Sequence, residues 1–128
     1  MTHNSILDPC FSSPRAASFV LCPNAPWRNG GVELRLTRPL PRSMANHGAL
    51  SLRNEPWALE LLDGRRCLFS GGATSEVEGK RLNYFCTAGG SSGLWGYPAR
   101  GSEPWTILSA PASATHLSER LPIRRAWM

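Results

Sequence analysis

Lysine is nearly absent. Lys80 stands alone against thirteen arginines in a chain of 128 residues with a net charge of +5. A nucleic-acid binder concentrates its charge on one face or one helix. Here the arginines run from Arg15 to Arg125, and only Arg65-Arg66, Lys80-Arg81 and Arg124-Arg125 form basic doublets, each beside a turn or a terminus. That scatter describes a solvated surface and argues against a nucleic-acid partner. Long apolar runs are missing as well. Nothing approaches the ~18 residues that carry a helix across a bilayer, so no transmembrane segment is expected. C-x-x-C spacing is absent, and His3, His47 and His116 stand far from one another and from the cysteines. Neither a metal centre, nor a redox motif, nor a bound cofactor is expected.

What the chain has in abundance is punctuation. Eleven prolines and twelve glycines leave little room for long helices and suit short strands joined by many turns. An apolar content of 41% is enough for one modest core in a chain of this length.

Four cysteines are present: Cys10, Cys22, Cys67 and Cys86. Cys67 and Cys86 each occupy an apolar position of an alternating run, and 18 residues rich in Gly and Ser separate them. That is the pattern of a disulfide clamping neighbouring strands. Of the three possible pairings, Cys10–Cys22 with Cys67–Cys86 is expected, because each bridge then closes a local loop. One bridge with two free thiols, and four reduced thiols, are the alternatives. Two bridges imply an oxidising compartment. Residues 1–8 nevertheless show neither a basic n-region nor an apolar h-region, and the apolar stretch at 18–21 is too short to supply one. The expectation that reconciles these is an extracytoplasmic protein, periplasmic or secreted, with a truncated or misassigned start. A cytosolic protein with reduced cysteines is the competing reading.

Residues 1–31 read as an irregular N-terminal segment. Breakers follow one another at Asp8-Pro9, Ser13-Pro14, Cys22-Pro23, Ala25-Pro26 and Asn29-Gly30-Gly31, around one short strand at 19–21. Residues 32–128 read as a single β-domain. Residues 32–37 alternate with period two, as a half-buried strand does, and residues 43–54 form a polar connection with at most one helical turn around Met44. Trp57, Leu59 and Leu61 alternate with Ala58 and Glu60. Asp63-Gly64 follows, the dipeptide that a type I′ hairpin turn favours, and residues 66–69 return. Glu78-Gly79 marks another turn before a strand at 80–86, in which Leu82, Tyr84 and Cys86 share one face. Residues 94–97, 105–108 and 121–127 complete seven or eight short strands. The expected fold is all-β: a small antiparallel sandwich or barrel, disulfide-stapled.

Residues 57–127 are the coherent core module. It carries W-x-L-x-L-x-D-G-x-x-C, then G-A-T, then R-x-N-Y-x-C, then W-T-I and a final I-x-x-A-W. The residues are Trp57, Cys67, Gly72-Ala73-Thr74, Arg81, Asn83-Tyr84, Cys86, Trp105 and Trp127. This pattern resembles small exported, lipoprotein-like domains of uncharacterised bacterial proteins. The resemblance implies export and a Cys67–Cys86 bridge, and it brings no known activity.

Catalytic constellations are thin. Gly89-Gly90-Ser91-Ser92-Gly93 matches G-x-S-x-G, and Glu103 and His116 follow in triad order. The nucleophile elbow needs a helix after its serine, whereas Leu94-Trp95-Gly96-Tyr97-Pro98 cannot start one. A second order, His47, Asp63 and Ser91, takes an aspartate that its turn already needs. A phosphate loop ending at Lys80 would require glycine at Thr74 and a hydroxyl at Arg81. No enzyme is expected.

Aromatics are the remaining signal. Trp57, Trp105 and Trp127 sit at alternating strand positions and are expected in the core. Trp95 and Tyr97 border the glycine loop and share a strand face. With Arg100 they would form an exposed platform for a sugar, a peptide or peptidoglycan, because aromatic faces bury much area at low entropy cost. Core packing is the competing reading. The expected function is a non-enzymatic binding or structural module of the bacterial cell envelope. Its contact surface would lie at 88–104 and its partner would be an envelope glycan or protein. A small secreted hydrolase inhibitor presenting loop 70–79 is the alternative, and a serine hydrolase built on Ser91 comes third.

Overall fold

Alternation without long uninterrupted stretches gives strands, and no helix stands among the described residues. A computed structural model of the chain describes residues 10–40, 55–71, 73–87, 92–111 and 113–128. Ten strands stand among them, in two compact units that comprise 1–54 and 55–128. The polar connection at 43–54, Met44, His3, His47, Gly72, Gly89-Gly90 and Ser91 lie outside the described residues.

In the first unit β1 (Phe11–Ser12), β2 (Phe19–Pro23) and β3 (Gly31–Arg35) form an antiparallel sheet in that order. The Cys10–Cys22 disulfide ties the start of β1 to β2. Gly31 pairs with Pro23 where a Cβ would meet the Cys22 carbonyl oxygen at 2.8 Å, so the turn back into β3 needs a residue without a side chain. The strand read at 32–37 is therefore β3, paired with β2. Its expected half-burial is not found: Val32 and Leu34 are 40% and 37% exposed. β3 is an edge strand, and the apolar cover of this small sheet is Val20, Cys22 and Ala25.

The second unit contains β4 (Ala58–Leu61), β5 (Arg66–Phe69), β6 (Glu76–Val77), β7 (Lys80–Cys86), β8 (Ser92–Ala99), β9 (Thr106–Pro111) and β10 (Glu119–Trp127). The order β5-β4-β10-β9-β8-β7 closes on itself through β5–β7 pairing, which makes a six-stranded antiparallel barrel. Closure removes the open edges that invite aggregation. β7 uses one edge twice: Lys80 and Arg81 pair with β6, and residues 84–86 pair with β5. Cys67 lies directly opposite Cys86 in that second pairing, and the two are disulfide-bonded. All four cysteines are thus paired in the expected sequential order.

Turn chemistry explains the hairpins, with one exchange of type. At Asp63-Gly64 only Gly64 has positive φ, at 88°. Its N–H donates to the Leu61 carbonyl at 3.0 Å, while Leu61 N–H donates to Arg65 O at 2.9 Å. This is a three-residue loop ending in a left-handed glycine, not the two-residue type I′ turn expected there. The Asp63 carboxylate braces it, accepting from Arg65 N–H at 3.0 Å and Arg65 Nε at 2.8 Å. That side-chain bond from Arg65 holds the Asp63 carboxyl below its ordinary 3.8, so the brace is lost as pH falls through that range. The type I′ geometry appears instead at Glu78-Gly79, with φ of 51° and 70°.

Leu59, Leu61, Cys67, Tyr84, Leu94, Ile107 and Ile123 make the main core. A second cluster of Leu82, Trp95 and Ala110, flanked by Val77, Leu108, Ala114 and Leu117, lies to one side of it. A β-bulge separates the two. Leu82 pairs with Trp95 and Tyr84 with Leu94, so β7 advances two residues while β8 advances one. The parity therefore flips. Leu82, expected on one face with Tyr84 and Cys86, instead joins Trp95 in the second cluster. Trp57, Trp105 and Trp127, expected in the core, are each only partly buried. Trp95 is the tryptophan with no exposed surface.

Tyr84 is also fully buried, and its hydroxyl donates to the Pro56 carbonyl at 2.7 Å. Burial, reinforced by the Glu55 charge, pushes its phenol well above the ordinary 10.0. The folded state therefore holds this proton more tightly than the unfolded state. Its stabilisation is complete below about pH 10 and falls as pH rises further. Tyr84→Phe should cost about 1–3 kcal/mol, because the Pro56 carbonyl is left buried without a donor. It should also flatten the alkaline limb of the stability curve. Urea melts of both proteins over an alkaline pH series would check this; equal alkaline losses would contradict it.

Candidate binding site

The bulge that divides the two clusters also builds the site. Asn83 is its extra residue, 1% exposed, and both ends of its amide are held. Nδ2 donates to the Gly96 carbonyl at 2.9 Å, and Oδ1 accepts from an Arg81 Nη1. The other Arg81 Nη donates to the Ser70 carbonyl at 2.8 Å. The guanidinium so fixed lies 5.7 Å from the centroid of the Phe69 ring. On Phe69 also rests Tyr97, with ring planes 10° apart and centroids 6.4 Å apart. Gly96, with φ of 69°, is the hinge that makes this possible. It lies within a second irregularity, between Trp95 and Ala99, and it sends Trp95 inward while Tyr97 stays 44% exposed.

Beside Tyr97 is a cavity of about 430 Å³ bounded by Lys80, Arg81, Asn83, Trp95, Tyr97 and Arg120 among others. Lys80 is exposed. Arg120 donates to Thr106 Oγ1 at 3.4 Å. Its described lining contains three cationic side chains and no carboxylate, serine, cysteine or histidine. What it offers a ligand is ring stacking, fixed hydrogen-bonding groups and positive charge. A second hollow, of about 480 Å³, lies against Glu103, Trp105, Arg124 and Arg125. There Arg125 covers the ring of Trp127 at 5.6 Å.

Compared with known proteins, the chain matches no family model, no curated protein and no solved structure. Function must therefore be read from the side chains themselves.

The three platform residues are not assembled as one surface. Trp95 is buried, with Nε1 donating to the Ala110 carbonyl at 3.5 Å. Arg100 lies 4.8 Å over the Trp105 ring and pairs with Glu55 at 3.1 Å. Trp95 and Tyr97 both line the cavity, and of the two only Tyr97 has an exposed ring. Nothing in the sequence marks Phe69, Asn83 or Arg120 for binding, and the Lys80-Arg81 doublet beside its turn has there only the character of a solvated surface. Of the triad candidates, Ser91 lies outside the described residues, and the carboxylate that His116 reaches is that of Glu78, at 3.2 Å. The inhibitor loop is strand-paired at 76–77 and anchored where Leu82 N–H donates to the Ser75 carbonyl at 2.9 Å. Among the described residues no cluster of His, Cys, Asp and Glu is placed to hold a metal ion, and no helix is long and apolar enough to cross a membrane.

Proposed function

We propose that this protein is an extracytoplasmic, non-enzymatic binding module of a bacterial cell envelope, and that it holds its ligand at the Tyr97 cleft. The observation that carries this reading is Tyr97 itself, a half-exposed ring laid parallel on Phe69 at the edge of a cavity. A ring held by a neighbour has little freedom left to lose when a ligand stacks on it. The Arg81–Asn83–Gly96 chain holds the floor in the same way. Two disulfides support an oxidising compartment, and the resemblance of 57–127 to small exported bacterial domains points to the envelope.

The test is binding of the full chain to immobilised envelope polysaccharides, purified peptidoglycan included, by wild type and by Tyr97→Ala. The variant should bind about tenfold more weakly, the equivalent of one lost aromatic contact, with an unchanged melting temperature. Equal affinities would remove the cleft from the binding surface.

A further inference from the structure

We propose that the Tyr97 cleft is a site for an acidic polysaccharide, whose carboxylate or sulfate groups lie between Lys80 and Arg120. This rests on the binding-module reading above and adds the ligand's charge and form.

The charge is asymmetric. Lys80, Arg81 and Arg120 bound the cavity, and none of its described lining residues is acidic. The nearest carboxylates in sequence do not line it. Glu76 stands directly opposite Arg81 in the β6–β7 pair, Glu78 contacts His116, and Glu119 precedes Arg120 without lining the cavity. The second unit as a whole is close to neutral: eight basic residues against seven acidic ones from 55 to 128, 8 − 7 = +1. A cavity bounded by three cations is therefore a local feature and not a sample of a basic surface.

The form follows from the register. Arg120 pairs with Leu108, Leu108 with Trp95, and Trp95 with Leu82, a row across four strands that ends two residues from Lys80. Three strand spacings of roughly 4.8 Å put about 14 Å between the ends of that row. Two long cationic side chains rooted that far apart on the strands of one cleft suit a ligand that carries more than one charge. Arg81 adds a positive charge whose position is already fixed by Asn83 and Ser70, and the Tyr97 ring gives a sugar face something to stack on.

The test uses the full chain titrated with polygalacturonate (carboxylated), dextran sulfate (sulfated) and dextran (neutral). Wild type should bind at least one acidic polymer in preference to dextran, with an affinity that falls as salt rises. The acidic polymer preferred then tells carboxylate from sulfate. Lys80→Gln/Arg120→Gln should weaken that binding about tenfold without changing the melting temperature. Arg15→Gln/Arg38→Gln removes the same charge from exposed positions of the first unit and should bind as wild type. The proposal is overturned if the cleft variant binds as wild type, if the charge-matched control weakens equally, or if wild type does not prefer an acidic polymer. Should wild type prefer dextran and lose it in Tyr97→Ala, the binding module stands and only the acidic ligand falls.

Discussion

Trp95→Ala should lower folding stability by about 3–5 kcal/mol, the range for deleting a fully buried large aromatic side chain. Trp95 has no exposed surface and is the centre of the second cluster, packed with Leu82, Ala110 and their half-buried neighbours. Truncation would leave a hole lined by those side chains. It would also strip the Ala110 carbonyl of the indole donor at 3.5 Å. The site suffers with the core, because Trp95 borders the cavity and precedes the left-handed Gly96 that turns Tyr97 outward. A domain of ordinary stability, about 5–15 kcal/mol, would lose a large fraction of it. Chemical denaturation followed by circular dichroism reads the effect directly. A Trp95→Ala midpoint equal to that of wild type would place the indole outside the core and contradict the packing described. Ligand binding lost in this variant alone is uninformative about contact; Tyr97→Ala is the substitution that separates binding from folding.

The second large effect belongs to the barrel seam. Three residue pairs join β5 to β7: Cys67 with Cys86, Leu68 with Phe85, and Phe69 with Tyr84. Without that pairing the six strands are an open sheet. The disulfide spans a sequence separation of 19, for which chain entropy gives roughly 3 kcal/mol. Cys67→Ala/Cys86→Ala should therefore cost about that much and loosen the seam before the rest. Amide exchange at Ser70 and Thr87, whose N–H groups donate across the seam to the Asn83 and Arg66 carbonyls, should accelerate ahead of exchange in β9 and β10. The same melt run with reductant should move wild type toward the variant. A double variant as stable as wild type would show the seam to hold by strand pairing and core packing alone.

Much of the architecture follows from local signals. Alternation placed the β4 and β5 hairpin, the strand at 80–86 and the final strand. The Gly-Ser stretch between Cys67 and Cys86, with an apolar position under each sulfur, was enough to pair them. What local signals lack is parity. Asn83 reads as one more alternating residue, yet it is the extra member of a bulge, held there by Arg81 and the Gly96 carbonyl, and it moves Leu82 to the other cluster. Gly96 does the same to β8, so that Trp95 and Tyr97, two residues apart, part company. Closure of β5 on β7 is a non-local event that no single strand announces. Neither is the meeting of Lys80 and Arg120 from strands that are distant in the chain. The site was half legible for this reason: Tyr97 was visible, while its partners depended on how three strands shift against one another.

The cleft is most directly tested by following backbone amide shifts of the isotope-labelled full chain during titration with the polysaccharide that wild type binds most tightly. Shifts concentrated at residues 79–83, 95–99 and 120 are the predicted result. Shifts concentrated around Glu103, Trp105 and residues 123–126, or in the first unit, would contradict it and move the binding surface elsewhere.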